Sequence, residues 1–133
     1  MKKLFPKLRA LEQRIASEKG EITLYAIFLR DAGRDSWDLV VSGPWADPEK
    51  FETFEYLAQR LHDVFTLEER RHINAVLPLQ EDNYIVKAIL DEVSTEKGIA
   101  EIRDEDFDGF DVRKAYIFTA KKKSEGQPVA AGN

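Results

Sequence analysis

The chain has 133 residues, 43% of them apolar and 34% charged, a composition that permits one globular domain with an apolar core. It contains no cysteine, which excludes disulfides, thiolate metal sites, iron–sulfur clusters and a cysteine nucleophile. The formal charge is −5, although residues 1–20 carry six basic side chains against two acidic ones. Nucleic-acid binding requires a clustered basic face, so an acidic body argues against a nucleic-acid partner.

The sequence also bears on the compartment. The basic start of the chain is interrupted by Lys7 and Arg9 before an apolar run of signal-peptide length, about 7–15 residues, can develop. No segment approaches the roughly 18 apolar residues of a membrane span. We therefore expect a cytoplasmic protein with no membrane partner.

The first third of the chain predicts a helix followed by a hairpin. Apolar residues recur at steps of three or four and indicate a helix: Leu4, Leu8, Leu11 and Ile15. This helix tolerates Pro6 in its first turn and ends at Gly20. The apolar, β-branched and aromatic run at 22–29 is typical of a central strand covered on both faces. After a polar turn at 31–36, residues 37–41 predict a second, antiparallel strand.

The rest of the chain predicts three helices and three strands. Asp47, Pro48 and Glu49 have the pattern of a helix start, and an aromatic-rich face toward the sheet is expected from Phe51, Phe54, Leu57, Ala58, Leu61 and Val64. Thr66 to Glu69 is a capping-box pattern, residues 73–79 predict a third strand, and Asp82 or Asn83 caps a fourth helix. A hairpin of residues 98–107 and 110–120 is expected around Asp108 and Gly109.

Together these elements predict an α+β fold. Residues 1–120 are expected to form a sheet of about five strands, mixed but largely antiparallel, with helices packed on it and a hairpin at its C-terminal end. Residues 121–133 have no apolar periodicity and predict a disordered tail.

One candidate metal site is the acidic run Asp104, Asp106 and Asp108 followed by Gly109, which fits the opening of a calcium loop. The bidentate glutamate of the helix–loop–helix version is replaced by Ala115, and the flanking residues predict strands. An acidic hairpin turn explains the same residues without a metal, so both interpretations stay open.

The sequence gives little support for a catalytic or metal-binding role of its two histidines. His62 and His72 are ten residues apart, with no paired-histidine or serine–histidine spacing. We expect surface or helix-end histidines, although residues scattered along a sequence can still meet in space.

The strongest candidate ligand site lies in residues 24–45, where a buried strand, a polar turn and a second strand follow one another. Asp38 comes directly after the turn, where a carboxylate can become partly buried and chemically useful. The predicted ligand-binding residues are Arg30, Arg34, Ser36, Trp37, Asp38 and Trp45. The alternative is a hairpin whose tryptophans cover the sheet.

Over residues 4–93 the order of elements, with Ser36-x-Asp38 opening the second strand, resembles the minimal nucleotidyltransferases related to polymerase β. The resemblance implies a phosphate-binding turn, two magnesium ions and three aspartates for nucleotidyl transfer. Here the Gly-Ser pair of that family is replaced by Leu29-Arg30, its first aspartate by Ser36 and its third by Asn74. The resemblance therefore implies a degenerate active site.

We expect a small non-catalytic binding or regulatory protein, because no complete set of nucleophile, base and metal ligands is present. A protein partner, or self-association through a sheet edge of the C-terminal hairpin, is the expected interaction. No cofactor is expected, with magnesium or calcium as alternatives. The rival hypothesis is a nucleotidyl- or phosphoryl-transfer enzyme, or a degenerate nucleotide-binding relative, that uses Asp38 with Asp35 or Asp31.

Overall fold

The computed structural model describes residues 1–31, 33–107 and 109–122, and it confirms the predicted α+β fold. Four α-helices accompany a five-stranded open sheet in the order β3-β2-β1-β5-β4. A 3-10 turn at Lys2–Leu4 precedes the elements, which are α1 Phe5–Lys19, β1 Leu24–Leu29, β2 Trp37–Ser42, α2 Phe51–Val64, α3 Leu67–Arg70, β3 Ile73–Leu79, α4 Tyr84–Glu92, β4 Ala100–Phe107 and β5 Phe110–Ala120.

The sheet is mixed because one of its four strand pairs is parallel. β1 lies at the centre and pairs antiparallel with β2 and with β5, and β5 pairs antiparallel with β4 in the predicted C-terminal hairpin. β2 and β3 are parallel, since α2 and α3 carry the chain back across the sheet between them. The two edges of the sheet are therefore β3 and β4.

Both faces of the sheet are covered, as the apolar run at 22–29 predicted. On one face α1 and α2 pack on alternate strand residues that include Tyr25, Ile27 and Leu39. On the other face α4 packs with the intervening residues, such as Ala26 and Phe28. Central strand β1 is buried on both sides, which is why its sequence lacks polar alternation.

The helix-boundary signals are largely confirmed. Pro6 lies in the first turn of α1, and Gly20 ends that helix with a φ of 113°, a backbone conformation that favours glycine. Thr66 and Glu69 form the reciprocal capping box of α3. The Asn83 side chain accepts a hydrogen bond from the Ile85 backbone N–H at the start of α4.

The predicted start of α2 is wrong. The Asp47 carboxylate accepts a hydrogen bond from the Glu49 backbone N–H at 2.9 Å, and the Asp47 carbonyl accepts one from Lys50 N at 3.2 Å. These bonds close a turn, so the helix begins only at Phe51.

The predicted face of α2 is confirmed at Leu57 and Leu61 but is wrong at its two phenylalanines and at Ala58. Thr53, Leu57 and Leu61 form its buried face, whereas Phe51 and Phe54 are 71% and 38% exposed. Leu57 and Leu61 pack in the core, and the hydroxyl of Tyr56 on the neighbouring flank donates to Glu18 of α1. Aromatic content alone did not identify the buried face, because the aliphatic residues of the helix are the ones that pack on the sheet.

The remaining boundaries differ by two residues or fewer. β4 begins at Ala100 instead of Gly98, because the Gly98 carbonyl accepts a hydrogen bond from the Arg9 guanidinium at 2.9 Å. β1 begins at Leu24 instead of Ile22, and β2 extends to Ser42. Residues 123–133, most of the predicted disordered tail, lie outside the described residues. Within the described ranges, no helix is both long and apolar enough to cross a membrane.

Candidate functional site

Four of the six predicted ligand-binding residues line one small cavity beside the start of β2. The cavity has a volume of about 140 Å³, and Arg30, Arg34, Ser36 and Asp38 share its wall with Asp31 and Asn74. The antiparallel register of β1 and β2 places Leu29 opposite Trp37, which brings both ends of the 31–36 turn together. The parallel register of β2 and β3 places Asp38 opposite Ala75, so Asn74 lies next to Asp38.

Asp38 is a buried carboxylate with one neutral partner. Its side chain is on the same sheet face as Val40, and the residue is 7% exposed. The Asn74 side-chain amide donates a hydrogen bond to Asp38 Oδ1 at 3.0 Å. Within the described ranges, no basic side chain lies within ion-pair distance of Asp38. Burial of a carboxylate without a counter-ion is costly, so this arrangement favours a ligand that brings a hydrogen-bond donor or a cation.

Arg30 lines the cavity, and its guanidinium is held on the side of β5 with its terminal nitrogens available. Its guanidinium lies 4.0 Å from the centre of the Phe110 ring, and its Nε donates to the Asp111 carbonyl at 3.0 Å. The two terminal nitrogens have no hydrogen-bond partner among the described residues. A planar guanidinium with free terminal nitrogens binds carboxylate or phosphate through two parallel hydrogen bonds.

Arg34 brings a second positive charge to the cavity wall. Its Nε lies 3.7 Å from Asp31 Oδ2. The Asp31 carboxylate also accepts a hydrogen bond from the Gly33 N–H at 2.9 Å, which orders the turn. Two guanidinium groups and two carboxylates therefore surround the cavity, a balanced set suited to a ligand that carries both signs of charge.

The two predicted tryptophans lie elsewhere. Trp37 is buried on the opposite face of the sheet, where it stacks on Tyr116 with ring centres 5.5 Å apart. Trp45 donates its indole N–H to the Glu21 carbonyl at 2.9 Å and packs against Gly43. A Cβ at Gly43 would come within 2.5 Å of that carbonyl, so the close packing requires glycine.

Asp35 is also directed away from Asp38. It accepts hydrogen bonds from Trp37 Nε1 and His72 Nδ1, both at 2.9 Å. The hydrogen bond from Trp37, and then the neighbouring His72, lower the pKa of the Asp35 carboxyl. His62, the other histidine, is exposed on α2. Asp31, not Asp35, is therefore the acid that shares the cavity with Asp38.

The acidic hairpin contains the residues of the calcium hypothesis. Asp106 accepts a hydrogen bond from the Gly109 N–H at 2.6 Å, and Asp104 Oδ1 lies 3.5 Å from an Arg113 nitrogen. Asp108 lies outside the described residues. Among the residues that the structure describes, in the hairpin or outside it, no group of three or more carboxylate or imidazole side chains is arranged to hold a metal ion. Calcium binding at the hairpin stays a prediction.

A second buried carboxylate, Glu12, was not predicted from the sequence. Glu12 of α1 is 8% exposed, forms an ion pair with Arg9 at 2.8 Å and accepts a hydrogen bond from the Thr119 hydroxyl. Its burial could have been predicted from helical spacing. Glu12 is four residues after Leu8 and three before Ile15, and so lies on the buried face of the helix.

Comparison with known proteins adds no family. No protein-family model, curated protein or solved structure matches the chain.

Proposed function

We propose that the protein is a small non-catalytic binding protein and that its ligand occupies the cavity beside Asp38. The ligand class is a small molecule that carries an oxyanion, a carboxylate or phosphate, next to an amine or hydroxyl donor. The observation that carries this proposal is that two arginines, Arg30 and Arg34, line one cavity together with the buried Asp38. The oxyanion binds the free nitrogens of Arg30, and the donor binds Asp38.

The size of the cavity limits the ligand further. Pockets for drug-sized molecules measure about 300–1,000 Å³, and this one measures about 140 Å³. It accommodates a group the size of a small amino acid or a phosphate. A free α-amino acid supplies both the carboxylate and the ammonium that the charged residues favour.

A magnesium nucleotide is the second candidate ligand. It is favoured by the presence of Ser36 and Asp38 on one cavity wall, the two positions that carry the resemblance to nucleotidyltransferases. The cavity admits a phosphate group but not a nucleoside, so the sugar and base of a nucleotide would lie outside it. Transfer chemistry with two metals would need more carboxylates than Asp38 and Asp31 supply.

The test is a thermal-unfolding panel on the whole chain with four separate additions: a set of α-amino acids, inorganic phosphate, magnesium ATP and calcium. A ligand that binds only the folded state at a hundred times its Kd adds about 2.7 kcal/mol of stability. For a domain of this size the midpoint rises by about 5–10 °C.

Three variants of the chain, tested in the same panel, distinguish binding at this cavity from general salt effects. Asp38→Asn and Arg30→Gln should abolish the shift, and Asp91→Asn, which changes an exposed carboxylate on α4, should leave it unchanged. A shift with magnesium ATP and none with amino acids would support the nucleotide instead. No shift in any arm, or a shift with amino acids, phosphate or magnesium ATP that survives Asp38→Asn, would contradict a ligand site at this cavity. A calcium shift that survives Asp38→Asn would instead support the acidic hairpin.

A further inference from the structure

The two edge strands differ sharply in their suitability for pairing with another chain. β3 contains no charged residue, and its only polar side chain is Asn74. β4 has a backbone distortion at Asp104, where φ is 48°, and five of its eight residues are charged: Glu101, Arg103, Asp104, Glu105 and Asp106. Charges and distortion are how sheets protect an edge from pairing. Edge strand β3 has no charged residue, and its one interruption is Pro78, which lacks a backbone donor near the end of the strand and leaves residues 73–77 for pairing.

An exposed apolar flank of α2 lies beside this uncharged edge. Tyr56 donates a hydrogen bond to Glu18 and therefore marks the flank of α2 that faces α1. Phe54 and Ala58 each stand two residues from Tyr56, about 160° round the helix. Because α2 contacts α1 and β3, this second flank is the one directed toward the β3 edge.

The exposed flank has the spacing of a helix–helix seam. A shallow groove of about 430 Å³ is lined by six residues of the flank: Phe51, Phe54, Glu55, Ala58, Gln59 and His62. Four of these, at positions 51, 55, 58 and 62, follow the alternating steps of four and three that form the contact line of paired helices. The small side chain of Ala58 near the middle allows two helices to approach closely.

We propose that this surface is a homodimer interface, in which a second copy of the chain pairs with the β3 edge and with the α2 flank. A two-fold axis perpendicular to the sheet aligns β3 antiparallel to its copy. The same axis places the two α2 helices antiparallel on one face of a continuous ten-stranded sheet. Such an interface is isologous, so the same surface must be complementary to itself.

The charges on the flank meet that requirement. Glu55 and His62 are equally distant in sequence from the midpoint between Ala58 and Gln59. An antiparallel pair of helices centred there places Glu55 of each copy opposite His62 of the other, where the imidazole N–H donates to the carboxylate. Two Phe51 side chains flank the centre at either end.

The apolar area is also of the right order. A whole phenylalanine buries about 200 Å², so the exposed parts of Phe51 and Phe54, 71% and 38%, supply about 400 Å² over two copies. Specific interfaces begin near 1,200 Å² in total. In the proposed dimer the edge strand and the rest of the seam must therefore supply the remaining two thirds of the buried area.

The test uses the cysteine-free chain. Ala58→Cys places one thiol at the centre of the seam, and Arg103→Cys places one on the β4 edge as a matched control. Each purified variant is treated with a short bis-maleimide, which joins two nearby thiols without requiring the restricted geometry of a disulfide. In parallel, sedimentation equilibrium of the unmodified chain measures the dimer from about 1 to 200 μM.

We expect a concentration-dependent dimer, efficient cross-linking of Ala58→Cys and none of Arg103→Cys. Phe51→Ser removes the most exposed apolar side chain of the seam and should raise the dimer Kd severalfold, with little change in monomer folding because Phe51 is 71% exposed. A monomer at every concentration would overturn the proposal. A dimer that cross-links only through Arg103→Cys would also overturn it, in favour of the hairpin edge.

The dimer surface and the ligand cavity share strand β3, which contributes Asn74 to the cavity, but the two proposals are tested by different measurements. Failure of the dimer leaves the thermal shifts at Asp38 unchanged, and failure of the ligand site leaves the cross-linking pattern unchanged.

Discussion

Glu12 and Asp38 are two carboxylates buried to the same degree but with opposite surroundings. Glu12 has an ion pair with Arg9 and a hydrogen bond from Thr119, and Arg9 itself donates to the Phe118 and Gly98 carbonyls. Asp38 has one neutral amide partner. The first carboxylate belongs to a saturated network that joins α1 to β5. The second keeps bonding capacity for a molecule that is not part of the chain.

The largest predicted effect is the loss of Glu12. Glu12→Ala leaves the Arg9 guanidinium largely buried without its counter-ion, and breaking such a pair costs about 3 kcal/mol. Thermal unfolding should show a midpoint lower by about 10 °C. Glu96→Ala removes an exposed partner of Lys121 and should change the midpoint by less than about 2 °C. Equal effects of the two substitutions would mean that the Glu12 network is not structural.

The next effect is a loss of stability in alkali from Tyr25, which is fully buried beside the Glu12 network. Burial, and then the negative charge of Glu12, raise the pKa of the Tyr25 phenol well above its usual value near 10. Above pH 10 the unfolded chain therefore loses this proton while the folded chain retains it. Stability is fully present below pH 10 and then falls by about 1.4 kcal/mol per pH unit for one such group.

The measurement is urea unfolding from pH 8 to pH 11 on the wild type and Tyr25→Phe. The variant should be less stable at pH 8 by about 1 kcal/mol, because the hydrogen bond to the Leu8 carbonyl, 2.8 Å long, is lost. Its alkaline decline should be shallower than that of the wild type. Parallel declines would show that other groups control the alkaline limit.

The third prediction concerns the loss of stability when a second carboxylate is placed beside Asp38. Asn74→Asp replaces the amide donor 3.0 Å from Asp38 with a second carboxylate. Repulsion between the two acids raises a pKa of the pair, so the variant should lose about 1 kcal/mol of stability at pH 7 and recover it as the pH falls toward 5. Asn74→Ala is the control, because it removes the hydrogen bond without adding charge.

The effect of magnesium on the stability of the same variant tests the rival function. Asn74→Asp supplies an aspartate at the position where the nucleotidyltransferases have their third acid and this chain has Asn74. If that resemblance reflects ancestry, magnesium should stabilise the variant and not the wild type. Absence of any magnesium effect would count against a two-metal origin of the cavity.

Most of the fold was predicted from the sequence, because helix caps, turn residues and apolar runs are signals that depend only on neighbouring residues. The bounds of β3 and β5 agree with their apolar runs and flanking turn residues. The start of α2 was wrong because the Asp47 side chain closes a turn equally well, and only the path of the chain decides between the two.

The site was predicted in part. Asp38 and the turn residues were recognised because a carboxylate follows a polar turn there. Successive side chains in a strand point to opposite faces, so Trp37 and Asp38 could not both line one cavity, a conclusion already available from the sequence. The position of Asn74 depends on the parallel pairing of β2 with β3, and no local pattern encodes that pairing.

The smallest predicted change in stability separates the two carboxylates most clearly. Asp38→Asn keeps the size of the side chain and an oxygen that accepts from Asn74, and it removes a buried charge without an ionic partner. Its free energy of unfolding by urea should differ from that of the wild type by less than about 1 kcal/mol, in either direction. Glu12→Gln, the same chemical change in the saturated network, should cost about 2 kcal/mol or more. A large loss from Asp38→Asn would place Asp38 in the same structural class as Glu12. Near-neutrality, together with the loss of ligand-induced stabilisation, would show that this charge serves binding, since the fold is stable without it.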